Sequence, residues 1–591
     1  MSDPVFGISI RKVDEGARPV FAADLSTIGL IGPAPLADAV AYPLNTPVFL
    51  NSNDNKKAQK LGEAGYLSDA VRAINDQLGE TQFAARIVVV RTQQGTDIDP
   101  AIALQQTISN IAGDSIAGTG MWAFLKSAAK LGFTPRILTA PGYTSQMANG
   151  VGEITRTAPG SGYVEDHLYP VEFIGGGPMV VPATGHAYGM SNGTLGPVIL
   201  ELPGAWYESE PSNIVVPVPG WDCSSGVVAQ AGMGYAVGET LVMPNNVMLS
   251  VTEIDDTANA GAITAVSVLN RGFIVGTDDP LVMPVAPLNT TGAGTGATIT
   301  LRWDPVGETA AYTAEIVTGA NPIVAGATPI CNQLLGHMIV ESAGSSMQND
   351  FDWRETMQSH RLIALSGGCR VMDPATSYIM IRPLAPRMAG IMVRRDHETG
   401  APFHSAANQA VQGIVSPNRD IGFNLTDSAN EAQELLAANI GVLVRGEVGD
   451  DFAIASGGFV LISTDNVGED PIWMMYNVMR GRDYIHLGML KTLRYFLGRY
   501  NIIGHTVQAI LNTMQFFLRD LHADNHILGY KVNFKTEGNS AEQIRMGHLT
   551  VGFKAEEPPV LKHLTIESSR YREAIDEMVA DLAQQLNLAT S

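Results

Sequence analysis

The sequence has 591 residues, of which 45% are hydrophobic and only 16% are charged. A chain of this length and apolar content can bury several cores, and it predicts roughly three or four globular domains. The formal net charge of -22 gives a surface that repels nucleic acid and anionic membranes, so we expect no direct binding to nucleic acid. An apolar leader and an apolar run of about 18 residues are both absent from the sequence, so we expect no membrane insertion and a protein made and kept in the cytoplasm.

Residues 1–25 predict an N-terminal arm that precedes the first domain. The stretch Pro4–Val13 alternates between apolar and other residues as a short strand does. Its candidate pairing residues are Val5, Phe6, Ile8 and Ile10. A lone strand needs a partner sheet, and an ordinary edge strand within its own domain is the alternative interpretation.

Residues 26–147 and 317–410 predict one discontinuous α/β body, because strands alternate with helices on both sides of a different central region. A helix is indicated by apolar residues at helical spacing at Leu67, Val71, Ile74 and Leu78. The predicted strands are Thr27–Ile31, Val48–Leu50, Arg86–Arg91, Arg136–Thr139, Met338–Glu341 and Leu362–Leu365. Neither segment has enough strands to cover its own apolar faces, so we expect the two to form one sheet.

Residues 148–316 predict a β-rich inserted domain that decorates the surface. The region is rich in Gly, Pro, Val and Thr and has almost no helical periodicity. A related phrase returns at Gly160–Tyr163, Gly204–Tyr207 and Gly232–Tyr235, with a weaker echo at Arg271–Phe273.

Residues 411–558 predict a C-terminal helix-plus-sheet domain, and residues 559–591 predict a C-terminal arm and helix. The whole chain is therefore expected to combine α/β and α+β domains. The predicted elements are helices Asp483–Tyr500, His505–Leu521 and Arg572–Leu586 and strands Gly529–Lys535, Arg545–Lys554 and Leu561–Glu567. The last strand supplies a second set of candidate pairing residues, Leu561, Leu564 and Ile566.

The sequence predicts no catalytic residue, no cofactor and no metal site. Thr291–Gly296 is glycine-rich, but it leads into the alternating strand Ala297–Trp303, whereas a nucleotide-binding glycine loop opens a helix. Cys223, Cys331 and Cys369 lack metal or redox spacing. Buried reduced thiols and disulfides between protomers both remain open for them.

Three stretches in the second half of the chain carry a family resemblance. In the first, the apolar stretch Pro386–Asp396 is followed by Gly400 and then by Ala407 and Asn408. This is similar to the RxD...G...PAN phrase of the contractile phage tail sheath family, of the myovirus type. Ala406 stands where that family has proline.

The other two stretches follow in the family's order. Gln412–Asp420 running on to Asn439–Gly446 resembles the family's turn, helix and strand. Trp473–Arg480 followed by Asp483–Ile485 resembles its NVRR strand end and first C-terminal helix, with Met479 at the first arginine position. The resemblance spans residues 20–145 and 320–570 and leaves out the β-rich insertion.

The resemblance implies a structural protomer without enzymatic activity or cofactor. Such a protomer forms a helical homo-oligomer of six-fold stacked rings around a tail tube protein, and it contracts to drive the tube through the host envelope for genome delivery. Baseplate and tail terminator proteins would be further partners, in a virion assembled in the host cytoplasm. The arms, with the candidate residues given above, would add strands to a sheet of neighbouring copies.

Two alternatives remain open at this point. One is the sheath of a phage-derived bacteriocin or secretion machine, which shares arms and body but seldom needs a large decorating insertion. The other is a glycan-binding or glycan-cleaving virion protein. Cleavage would require paired carboxylates in an aromatic cleft, and the aromatic content of 7% argues against it.

Overall fold

The computed structural model describes residues 25–589 apart from 80–82, 179, 258–259, 277–279, 281, 374–375, 446–457 and 536–537. The predicted N-terminal strand, with Val5, Phe6, Ile8 and Ile10, therefore lies outside the described residues. The described chain is a mixed α/β protein, as the sequence predicts.

The body is organised around one nine-stranded sheet. In spatial order its strands are Pro47–Asn51, Arg86–Thr92, Ile28–Pro33, Ile137–Thr139, His337–Glu341, Leu362–Leu365, Ile440–Arg445, Phe459–Ile462 and Gln409–Ala410. The six strands from the second to the seventh pair in parallel, and the outer pairs are antiparallel. Parallel sheets are buried on both faces, which is why these strands read as nearly continuous runs of Val, Ile and Leu.

Helices cover both faces of this sheet. Leu67–Leu78 and Ala385–Thr399 pack on one face, and all four apolar residues that predict the first of these helices lie in that core. Pro100–Ala112 and Pro322–Leu334 pack on the opposite face. The shorter helices around the sheet are Asn55–Gln59, Gly120–Lys126 (3-10), Ser127–Leu131, Met347–Glu355 and Glu431–Ala437.

The sheet joins segments that are distant in the chain. Ile137–Thr139 pairs in parallel with His337–Glu341, so the intervening β-rich region leaves and re-enters between neighbouring strands. The sheet also continues past residue 410, where the predicted body ends, because Ile440–Arg445 pairs with Leu362–Leu365. Without that pairing, a strand buried on both faces would carry an unpaired edge.

Where the sequence predicts one inserted β domain, the structure has two β modules with separate cores. The first β module comprises strands Met147–Ala158, Leu168–Ile174, Thr184–Tyr188, Ile199–Leu202, Asn213–Val215 and Ala311–Ala320. The second β module is nested within it and comprises strands Gly220–Met233, Thr240–Val242, Met248–Asp255, Ala262–Asn270, Ile274–Val275, Pro284–Val285, Asn289–Thr290 and Thr295–Val306. This division cannot be predicted from the recurring phrase, because the phrase occurs in both modules.

The recurring phrase is one structural device used three times. Each phrase begins with a glycine whose φ lies between +64° and +67°, and it ends with a buried tyrosine. The hydroxyls of Tyr163, Tyr207 and Tyr235 accept hydrogen bonds from the backbone N–H groups of Ala310, Ala183 and Ala297 at 3.0, 2.9 and 3.4 Å. A Cβ on Gly204 would lie 2.5 Å from the Val181 carbonyl oxygen, so glycine is required there for space as well as for φ. We call each such unit a tyrosine latch.

The C-terminal unit, residues 476–556, has its own apolar core. Its elements are helices Tyr476–Leu493, Gly504–Ala523 and Ala541–Arg545 and strands Gly529–Phe534 and Val551–Glu556. The predicted strand from Arg545 is wrong in its first half, because Arg545 ends a short helix that the Ser540–Gln543 capping box begins, and the strand starts only at Val551. The remaining described elements are the 3-10 helix Pro244–Asn246, the small sheet Cys369–Met372, Ile379–Arg382 and Ser416–Pro417 and the C-terminal helix Glu573–Ala589.

Candidate assembly site

The C-terminal unit presents a sheet of only two strands. Gly529–Phe534 and Val551–Glu556 pair antiparallel along their whole length, and helix Gly504–Ala523 packs on them through side chains such as Phe517 and Leu521. Within the described part of the chain, neither strand has a partner on its other edge. Such edges offer free backbone N–H and C=O groups, on which a further strand can form.

The chain leaves this sheet through a firmly held root. Glu557 is buried, and the Arg482 guanidinium donates to both of its carboxylate oxygens at 2.7 and 2.8 Å. Arg482 also donates to the Ala555 carbonyl and lies 5.0 Å from the ring centroid of Trp473. The Asn477 side chain donates to the Pro558 carbonyl oxygen. Bidentate arginine–carboxylate pairs fix geometry as well as charge, so the direction in which the chain departs is set here.

Beyond the root, the C-terminal arm, residues 559–572, has no regular secondary structure and is largely exposed. Lys562 pairs with Asp465 at 2.6 Å. The sequence predicts a strand at Leu561–Glu567, and this is wrong for the single chain, because no strand forms there. The candidate residues Leu561, Leu564 and Ile566 are 76%, 68% and 81% exposed. Three exposed apolar side chains within seven residues make this segment a candidate for contact with another molecule.

The C-terminal helix repeats this pattern. Glu573–Ala589 is amphipathic, with apolar residues at i, i+3, i+4 and i+7 from Ile575 onward. Ile575, Met578, Val579 and Leu582 are all exposed. An amphipathic helix gains most of its stability from packing its apolar face, so this exposed face is a second candidate for contact.

Two of the stretches that carry the family resemblance meet in a buried ion pair. Arg480 and Asp396 are joined by two hydrogen bonds of 3.0 and 2.5 Å, and Ser26 donates to the same carboxylate at 2.8 Å. Tyr476, in the same helix as Arg480, accepts from the Ala406 backbone N–H at 2.8 Å. These contacts fasten the C-terminal unit to the body.

A second buried cluster continues this junction. Arg361, beside the body strand Leu362–Leu365, makes a bidentate contact with Asp483 of helix Tyr476–Leu493 and donates to the Asn332 side chain at 3.0 Å. Burial and the neighbouring guanidinium groups hold the pKa of His337 well below its usual range, so this ring stays neutral beside the pair.

The three cysteines lie in three different cores. Cys223 is in the second β module, and Cys331 and Cys369 lie on opposite faces of the body sheet, all fully buried. Burial raises the pKa of the Cys331 and Cys369 thiols to about 12. A disulfide between copies would require a core to open, so the packing favours buried reduced thiols.

The glycine-rich loop at Thr291–Gly296 is filled from within the chain. The Glu239 carboxylate accepts from the Gly292 backbone N–H at 3.1 Å, from the Ala236 N–H at 3.0 Å and from the Thr290 hydroxyl. Burial alone would raise the pKa of Glu239, but these hydrogen bonds lower it overall. The amides that could cradle a phosphate are thus already used to close a turn of the second β module.

Neither a metal-binding cluster nor a membrane-spanning helix occurs among the described residues. We find no cluster of three or more His, Cys, Asp or Glu side chains placed to hold a metal ion. Across the same residues, no helix combines the length and apolar character needed to cross a bilayer.

The residues of the two junctions have no role that can be predicted from the sequence. Arg480 and Asp396 stand within the resembling phrases, but their roles depend on a contact 84 residues apart. The one local feature that could indicate such a contact is a charged residue, Arg480 or Asp396, on the otherwise apolar side of its helix. The structure also moves the start of that helix to Tyr476, so Tyr476–Arg480 is its first turns and not the end of a strand.

Comparisons with known proteins give matches to one kind of protein. The chain is 32% identical over 168 residues to the tail sheath protein of Escherichia phage P2, covering 28% of this chain and 41% of that protein. It is 34% identical over 149 residues to the major tail sheath protein of Serratia phage KSP20, covering 25% and 36%. It is 26% identical over 205 residues to the tail sheath protein of Burkholderia phage BcepMu, covering 34% and 40%. The aligned part is therefore less than half of each of these relatives.

Two solved structures that align over nearly the whole chain are described as sheaths in a contracted state. The PVC sheath complex in its contracted state aligns with 97% of this chain and 99% of its own, at 9% identity and a TM-score of 0.49. The helical sheath of the anti-feeding prophage in its contracted state covers 96% and 100%, at 11% identity and a TM-score of 0.47. No family model matches the chain. The sequence alignments nonetheless confirm the resemblance of this chain to the tail sheath proteins of contractile phages.

Proposed function

We propose that this chain is the protomer of a contractile tail sheath, with a structural and non-enzymatic role. The observation that carries the proposal is the exposed apolar arm, which departs from a fixed root beside a two-stranded sheet with unpaired edges. A protein that works alone would have no use for this combination. The similarity to phage tail sheath proteins supports the same conclusion.

In this proposal the arm of one copy pairs with the sheet of its neighbour. Fourteen extended residues, 559–572, can reach about 45 Å at roughly 3.3 Å per residue. Leu564 and Ile566 would then pack on the neighbour's C-terminal unit, while the backbone completes the open edge. The N-terminal strand at Pro4–Val13 would pair in the same way with another copy. In this proposal, disulfide bonds between copies take no part in the linkage.

Strand pairing of this kind can hold copies together while their bodies move. The copies would stack as six-fold rings around a tail tube, with baseplate and terminator proteins at the two ends. Contraction would repack the bodies more densely, and each newly buried 1,000 Å² of apolar surface supplies up to about 25 kcal/mol. The work would drive the tube through the host envelope and deliver the genome from a virion assembled in the host cytoplasm.

The β modules would stand outside this polymer. They enter and leave the body between two neighbouring strands, and each has its own core. No strand of the described body sheet pairs with a strand of either β module. A role as surface decoration fits this independence.

The test is electron microscopy of the purified recombinant chain in negative stain, with three variants. One lacks residues 559–591, one lacks Pro4–Val13, and one carries Leu564→Asp and Ile566→Asp. The matched control is Ile199→Asp, which also adds a charge at an exposed apolar residue but lies in the first β module. Circular dichroism verifies that each variant is folded.

We expect tubes or stacked rings from the native chain and from the Ile199→Asp control, and dispersed particles from both C-terminal variants. Tubes that persist in the double aspartate variant and in the truncation would remove the C-terminal arm from the linkage. Tubes that persist without Pro4–Val13 would remove only the N-terminal arm. Folded monomers in every preparation, including the native chain at high concentration, would overturn the sheath assignment.

A further inference from the structure

One residue of the β modules has a backbone conformation that its side chain disfavours. Trp206 has φ +63°, in the left-handed region. Bulky residues rarely adopt this region, because the Cβ of an L-residue then lies too close to the following carbonyl oxygen. Strain of this kind persists only where the surrounding structure holds it, and it concentrates at positions with a function.

The other two tyrosine latches show what this position normally requires. Trp206 is the third residue of its latch, and the third residues of the others are Gly162 and Gly234, with φ +89° and +78°. A Cβ at Gly162 would make a tight contact of 3.3 Å with the Cα of Gly307, and one at Gly234 would make an ordinary contact at 3.7 Å. Glycine therefore suits this position mainly because it adopts the left-handed φ without strain. A tryptophan in one latch must have a separate reason.

That reason lies outside the β module, in the body. The Trp206 indole N–H donates to the Ser109 hydroxyl at 3.3 Å, and the half-buried ring packs against the body core next to helix Pro100–Ala112. The ring is presented from a fixed base, because Tyr207 donates its backbone N–H to the Asn149 carbonyl and Val151 donates to the Pro203 carbonyl. Trp206 thus bridges a rigid part of the module and a rigid part of the body.

The geometry explains what the bridge controls. The first β module is joined covalently to the body only at the base of its own two-stranded ribbon, where strand Met147–Ala158 begins and strand Ala311–Ala320 ends; further along, the ribbon packs in the module core through Val151 and Tyr312. A ribbon of two strands can bend at its base. The contact of Trp206 with the body lies away from this base and restricts that bending. A cavity of about 530 Å³ separates the two parts near this contact; its lining includes Ser109, the partner of the Trp206 indole, with body residues 93–96, 106 and 110 and module residues 178 and 180–181. This space is available to a module that turns toward the body.

We propose that Trp206 is a positioning residue that fixes the angle at which the β modules stand on the body. It acts as a wedge between module and helix Pro100–Ala112, and the strain in its backbone is retained because glycine would lose the wedge. The inference does not depend on polymer formation, since every contact it uses lies within one chain.

The test is hydrogen–deuterium exchange of the full-length chain, comparing Trp206→Gly with the native protein. Glycine restores the residue found in the other two latches, so the module should keep its fold and its thermal midpoint. We expect exchange to speed up severalfold in residues 93–112 and in the ribbon, while peptides around the Tyr163 and Tyr235 latches stay unchanged. Trp206→Phe keeps a ring without the indole donor and should give an intermediate increase.

Two results would overturn the proposal. If exchange in residues 93–112 and in the ribbon is the same in Trp206→Gly as in the native chain, the ring does not brace the module. If Trp206→Gly instead makes the whole first β module exchange as an unfolded segment, the tryptophan is part of the module's core and not a wedge. A broadened distribution of module angles in averaged particle images would support the wedge independently.

Discussion

Two segments that the sequence predicts as strands differ completely in the folded chain. Arg86–Thr92 lies inside the body sheet, with a partner on each side and four fully buried apolar residues. Leu561–Glu567 is apolar only at Leu561, Leu564 and Ile566, and it forms no strand, so these residues face solvent. The difference is the availability of a partner, because a strand is stable only when its backbone groups are paired. The unmatched segment points to a partner on another molecule.

Charged residues separate the same two regions. At the junction of body and C-terminal unit, Asp396 and Arg480 are buried and doubly hydrogen-bonded. In the arm, Lys562 is 38% exposed and pairs with Asp465. Contacts of the first kind should decide the stability of the single chain, and contacts of the arm should decide only assembly. The predictions below test this separation from the largest expected effect to the smallest.

The largest effect is expected from Asp396→Ala. The change leaves the buried Arg480 guanidinium without its carboxylate and the Ser26 hydroxyl without its acceptor. An uncompensated buried charge costs about 3–5 kcal/mol. Urea unfolding of the unassembled chain should show a loss of this size.

The matched control for that change is Lys562→Ala, which breaks an ion pair of the arm. A pair that is partly exposed contributes about 1 kcal/mol or less. Equal losses from Asp396→Ala and Lys562→Ala would contradict the separation between junction and arm. The double variant Asp396→Leu with Arg480→Met should recover much of the loss, because it removes both charges together.

A smaller effect is expected from Tyr163→Phe in the first β module. The Tyr163 hydroxyl accepts from the Ala310 N–H and donates to the Pro217 carbonyl, and both backbone groups would lose a partner. Leaving a buried donor unpaired costs about 1–3 kcal/mol. Thermal unfolding of the module, monitored by hydrogen–deuterium exchange of its peptides, should show the loss. The control Tyr188→Phe changes an exposed tyrosine of the same module and should show no loss.

The tyrosine latches show which features can be predicted from the sequence. The recurring phrase, the β class of the region and most body strands are predictable, because they depend on local composition and periodicity. The hydroxyl partners Ala310 and Ala183 were not visible, since they lie 147 residues after and 24 residues before their tyrosines. The division into two nested modules depends on those same long-range contacts.

The same limit explains the other differences. The apolar residues of Leu561–Glu567 predict a strand, but their pattern does not say whether a partner exists in the same chain. The first turns of helix Tyr476–Leu493 hold Asn477 and Arg480, which look unfavourable in a core until Asp396 and the Phe403 carbonyl are placed beside them. Roles that depend on a distant partner were therefore beyond sequence analysis.

A pH effect is expected in the second β module. The pKa of Glu239 is lowered in the folded chain, so its ionised form stabilises the module above the ordinary pKa of a glutamate, and this contribution is lost as the pH falls through the lowered value. Acidification below about pH 4 should loosen the turn at Ala236 and Gly292 before the body responds. Hydrogen–deuterium exchange of this turn and of the body, measured between about pH 3 and 6, brackets the ordinary pKa of a glutamate and should show the difference.

The control for that effect is Glu239→Gln, which keeps the shape but not the charge. This variant should lose about 1–2 kcal/mol of module stability at neutral pH, and the loss should shrink as the pH falls. A loss that is the same at all pH values would mean that shape and not charge holds the loop.

The smallest effect on the single chain is expected from Leu564→Asp with Ile566→Asp. Both side chains face solvent, so unfolding of the unassembled chain should change by no more than about 0.5 kcal/mol. The matched change in the paired strand is Ile87→Ala, which removes a fully buried side chain and should cost about 2–5 kcal/mol. If the arm variant were as destabilising as the body variant, the arm would be packing on its own chain in solution and could not be free to join a neighbour. If it is neutral for the single chain and still abolishes tubes, the same apolar residues that have no use in one molecule are those that link two.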